Sequence, residues 1–112
     1  MNFHEIVAAA ESRLLASLTL QKVLSVCHRA NSALEDACIQ LRDMRLKMDE
    51  ARRNMNAGTI TVYDFESVIR QLVAAENARD RAELKEEKAQ RAFDKAKARE
   101  EEANKRLMGL NK

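Results

Sequence analysis

Asn54-Met55-Asn56-Ala57-Gly58-Thr59-Ile60-Thr61-Val62-Tyr63-Asp64-Phe65 is the one stretch of this sequence that reads as punctuation. Gly58 can adopt the left-handed conformation that closes a helix, because it has no Cβ to clash. Thr61 offers a hydroxyl to cap a new helix. Asp64 falls three residues later, where its carboxylate can reach back to free amides and complement the positive helix start. Ile60 and Phe65 stand at hydrophobic-staple spacing around that cap. These signals place a turn at residues 56–60, between a first arm at about 3–55 and a second at about 61–108.

Working outward, both arms carry a seam. Before the turn, Leu20, Val23, Cys27, Ala30, Leu34, Ala37, Leu41, Met44, Met48, Ala51 and Met55 keep a three–four stride without a polar member. That is a coiled-coil heptad pattern. After the turn, Phe65, Val68, Leu72, Ala75, Arg79, Ala82, Glu86, Ala89, Phe93, Ala96, Glu100, Ala103, Leu107 and Leu110 keep the same stride, with three charged interruptions. Alternate positions of the second seam are mostly alanine, which leaves room for large side chains on a facing helix. A short turn forces the arms to be antiparallel neighbours. The expectation is therefore an all-α fold, a long antiparallel two-helix coiled-coil hairpin forming a single domain over residues 1–112. Arg79, Glu86 and Glu100 are expected to carry their heads past the edge of the seam on long stems.

Composition agrees. The chain has 112 residues, no proline or tryptophan, two glycines and 34% charged residues. An enzyme of this size would usually hold its site on loops, and these residues supply almost none. No catalytic, cofactor-binding or metal-binding residue is expected, and the chain is read as a non-enzyme. His4 and His28 have no partner at ligand spacing except Cys27, which is directed elsewhere on the helix. Ala57-Gly58-Thr59 lacks the lysine and second glycine of a phosphate loop. Net charge is +2, and the basic residues near the turn are interleaved with Asp43, Asp49 and Glu50, so no nucleic acid partner is expected. The apolar run Leu14 to Val26 is too short to cross a bilayer, and the first residues lack a basic leader. A cytoplasmic location follows, with attachment to a membrane-bound complex as its variant. Cys27 and Cys38 lie eleven helical residues apart, about 16 Å, beyond disulfide reach. Both are expected to be small buried hydrophobes in a reducing compartment.

The first arm is over-supplied with apolar residues near its start. Leu14, Leu15, Leu18, Leu24 and Val26 lie off the seam, while the facing part of the second arm, 91–106, is mostly charged residues and alanine. Surplus apolar surface of this kind marks an interface. Two occupants fit: a dedicated protein partner, or a second copy forming a homo-oligomer through this N-terminal arm. The seam is expected to lose register between Leu14 and Leu20, with the first turns bending away. The charges from Glu83 to Arg99 read as a solvated face stitched by i,i+4 pairs.

The stretch Arg53 to Glu66, running into Arg70-Gln71-Leu72, resembles the hairpin region of the type III secretion stalk proteins, the SctO/YscO family, relatives of the flagellar export protein FliJ. The amphipathic run that begins at Val23-Leu24 and Arg29-Ala30 is loosely similar to their first arm. The resemblance implies a non-catalytic stalk that enters a hexameric export ATPase, contacts the export gate and in some members handles export chaperones. This chain is shorter than usual members, and its N-terminal arm is more apolar. The alternatives are a small helical secretion chaperone or adaptor, and a self-assembling structural coiled coil.

Overall fold

The computed structural model describes residues 2–110. It is an all-α helical hairpin of two long helices, α1 (Phe3–Asn56) and α2 (Val62–Leu110). The hairpin divides into two compact units. The turn unit is Ala30–Glu86, and the terminal unit pairs Met1–Arg29 with Glu87–Lys112.

In the turn unit, α1 ends where the glycine requires it. Gly58 has φ +72°. Its amide donates to the Met55 carbonyl at 3.1 Å, and the Thr59 amide donates to the Asn54 carbonyl at 2.8 Å. This pair of bonds is a Schellman motif, which satisfies carbonyls the helix would otherwise leave free. The Thr59 hydroxyl adds a bond to the same Asn54 carbonyl at 3.0 Å. Helix α2 then starts on Thr61, whose hydroxyl accepts from the Asp64 amide at 3.1 Å, while its carbonyl accepts from the Phe65 amide at 3.0 Å. The contribution of Asp64 to the cap is thus its backbone amide. Ile60 and Phe65 are both partly buried at this corner.

The seam residues line the inside of each unit. In the turn unit Ala37, Leu41, Met48 and Ala51 are buried on α1, with Leu34, Met44 and Met55 half-buried. Phe65, Val68, Leu72, Ala75 and Ala82 are half-buried on α2. Leu41 is the largest fully buried side chain, at 1% exposure. Arg79 occupies a seam position, half-buried, and its guanidinium reaches Asp80 at 3.2 Å and Glu83 at 3.9 Å. That is the snorkelling geometry expected of it: the stem follows the seam and the head lies at its edge.

In the terminal unit, Ala9, Cys27, Ala89 and Ala96 are buried, with Phe93, Ala103 and Leu107 half-buried. The two helices are tied by Arg13 Nε donating to Asn104 Oδ1 at 2.8 Å and by Cys27 Sγ donating to the Ala89 carbonyl at 3.1 Å. The expected loss of register between Leu14 and Leu20 does not occur. Helix α1 is continuous from Phe3, and Ile6, Ala9, Arg13, Ala16 and Leu20 extend the stride in phase. Arg13 hides this continuity in the sequence; Asn104 across the seam gives it a partner.

Two further expectations are corrected. Cys38 is exposed, and only Cys27 is buried, because Cys38 lies one residue beyond the seam position Ala37. Of the charges expected to stitch the face from Glu83 to Arg99, only Glu83 forms an ion pair among the described residues. The other pairs are Arg52–Asp49 and Arg70–Glu66, both exposed. Pairs of this kind contribute between nothing and about 1 kcal/mol, so α2 is held by its seam.

Candidate protein-binding surface

The phase of the buried stripe decides what each remaining apolar residue can touch. At about 100° per residue, Leu14, Leu18 and Leu15 span an arc of about 100° on α1, turned away from Ala9, Ala16 and Leu20. Leu14 is 60% exposed and Leu15 65%, with Leu18 also exposed and Val7 at the patch edge. These residues form one contiguous outer patch. Leu24 and Val26 are exposed too, but they lie about 200° apart, on opposite edges of the stripe through Val23 and Cys27. The five residues singled out in the sequence are therefore one patch of three and two separate edge residues.

Large apolar residues outside that set are also exposed. Ile39 and Leu46 each stand two positions beyond a seam residue on α1, and Val62 and Tyr63 open α2 beside the turn. Their signal was present in the sequence as apolar residues out of phase with the seam. The turn unit also carries a groove of about 550 Å³ between Gln40, Met44 and Lys47 on α1 and Gln71, Ala74, Ala75 and Ala78 on α2. It exists because the alanines do not fill the space beside Met44.

Groups able to do chemistry are scattered. Among the described residues, no three histidine, cysteine or acidic side chains converge on a metal position. The Arg79 pKa is raised by its hydrogen bond to Asp80, so its charge is fixed more firmly. No described helix is long and apolar enough to cross a membrane. Comparison with known protein families, curated proteins and solved structures finds no match.

Proposed function

We propose that this chain is a non-catalytic hairpin that works by binding other proteins, with the outer patch Leu14, Leu15 and Leu18 as its principal docking surface. The supporting observation is the contrast between two sets of leucines on one helix. Leu41 is sealed in the seam, whereas these three face solvent together although the same helix turns a stripe of buried and half-buried residues to its partner helix. A leucine hidden by a partner contributes about 1.5–3 kcal/mol, so three adjacent ones are a substantial driving force for association.

The more specific proposal is a stalk of a type III export apparatus. Its support is the resemblance of Arg53 to Glu66, running into Arg70-Gln71-Leu72, to that family's hairpin region, together with the capped turn at Gly58 and Thr61. In this reading the partners are a hexameric ATPase and an export gate, and the location is cytoplasmic at the membrane-bound complex. The test is steady-state ATP hydrolysis by a hexameric export ATPase with and without the chain. A rise in turnover that saturates with added chain is expected; an unchanged rate removes the stalk reading.

A further inference from the structure

The outer face of α1 in the terminal unit carries a second three–four stride, formed by Ala8, Glu11, Leu15, Leu18, Lys22 and Ser25. All six are exposed, and Leu14, also exposed, lies beside them. They face away from α2, because the buried stripe through Ala9, Ala16 and Leu20 runs on the other side of the helix. The spacing of this stride is the same read from either end, with the charge inverted. Leu15 and Leu18 stand equally far from a midpoint between Ala16 and Ser17, and so do Glu11 and Lys22. At the rim, Glu5 and Arg29 stand equally far from Ser17. The remaining charged or titratable side chains between Phe3 and Ala30 are Arg13, bonded to Asn104 across the seam, the buried Cys27 thiol, and the two histidines, His4 and His28, near the ends. The acids therefore occupy one end of this face, the bases the other, and the leucines the middle. Glu5, Glu11, Lys22 and Arg29 are exposed, and none of them takes part in an ion pair among the described residues.

We propose that a second copy of this chain docks on the outer face of α1, antiparallel to it, about a two-fold axis at Ala16 and Ser17. Glu11 then meets Lys22 of the second copy, and Lys22 meets its Glu11, so one pair forms twice. Leu15 packs against Leu18 of the second copy, again twice, with Leu14 closing one side. Glu5 and Arg29 meet at each end. A parallel pair would set Glu11 on Glu11 and Lys22 on Lys22, so the charges select the antiparallel arrangement. The patch is complementary to itself, as a two-fold contact requires. In each copy α2 lies behind α1, two helix diameters or about 20 Å from the α1 of the other copy. That exceeds the screening length of about 8 Å in physiological salt, so the charges of α2 stay out of the contact. The overlapping part of α1, residues 3–29, is about 40 Å long, and a contact strip about 10–12 Å wide covers about 400–500 Å² per copy. A contact of that size belongs to the small, reversible class. A two-fold contact uses the patch on both copies, so association stops at the dimer.

A second copy is then the occupant of the docking surface proposed above, and the pairing rests on that reading. Its test is sedimentation equilibrium of the full chain from about 10 μM to about 1 mM, where contacts of this size populate both states. A monomer–dimer equilibrium without larger species is expected. Glu11→Lys should raise the dissociation constant about tenfold or more, because it sets like charges face to face at both ends. Lys22→Glu should do the same. The chain with both substitutions should dimerise like wild type, since exchanging the two charges restores both pairs. Each variant should keep the wild-type circular dichroism, as both positions are exposed. Single variants that dimerise like wild type overturn the proposal, as does a double variant that dimerises no better than the single ones; either result marks a parallel pair or a dimer through another face. A concentration-independent monomer also overturns it. If that monomer still raises the turnover of the export ATPase, and loses the effect on Leu15→Gln with Leu18→Gln, the docking reading stands with a different protein as the occupant.

Discussion

Leu41→Ala removes the side chain on which the turn unit closes most completely. Leu41 is 1% exposed, so truncation forfeits nearly the full transfer free energy of its lost carbons and leaves a space that two rigid helices fill poorly. Buried leucine truncations of this kind cost about 2.7–5 kcal/mol. A two-helix core is thin and relaxes more readily than a multilayered one, so about 3 kcal/mol is expected here. Against a typical total of about 5–15 kcal/mol, that is a large fraction. Leu46 supplies the control: it is on the same helix and of the same type, but 62% exposed. Leu46→Ala should change stability by no more than about 0.5 kcal/mol. Urea unfolding followed by far-UV circular dichroism measures both. Equal effects of the two substitutions would refute the assignment of the seam as the core. Leu41→Asp should cost more than Leu41→Ala, since it adds a carboxylate with no partner.

Other expectations follow from single contacts. Thr61→Ala removes the hydroxyl that holds the Asp64 amide and should cost about 1 kcal/mol in the same unfolding assay. Gly58→Ala should cost about 1–2 kcal/mol through its φ of +72° alone, because a Cβ there meets nothing within 4 Å. Arg79→Leu should raise stability in the same assay: its Nε is enclosed without a hydrogen bond, its ion pairs lie at the surface, and an apolar side chain would complete the seam. In native buffer Cys38 should react with a thiol reagent at a rate close to that of a free thiol. Cys27, which is buried and bonded to the Ala89 carbonyl, should react only as fast as the terminal unit opens; equal rates would contradict the burial.

How much of this was legible in the sequence depended on whether a residue's environment is set by its neighbours along the chain or across the seam. The turn was legible because Gly58 and Thr61 act on amides and carbonyls within a few residues. The seam was legible because period alone fixes which residues face inward; Arg79, Glu86 and Glu100 sit where the stride puts them. The continuation of the seam before Leu20 was missed because Arg13 stands in the stride and its acceptor, Asn104, is 91 residues away; a polar residue there looks like a break until the facing helix is known. Cys38 was misread by residue type, when phase should have decided. Leu24 and Val26 belonged to the surplus but not to one patch, which follows from the helix angle. The ion pairs could not be read from spacing, because exposed side chains at i and i+4 gain too little to be held together.

The central claim is that Leu14, Leu15 and Leu18 serve association rather than the fold. The direct test is the unfolding free energy of the triple variant Leu14→Gln, Leu15→Gln, Leu18→Gln against wild type, measured at a concentration where both are monomeric. The two values should lie within about 1 kcal/mol of each other, since surface substitutions rarely do more. A loss of about 4 kcal/mol or more would show that these leucines are core, and would contradict it.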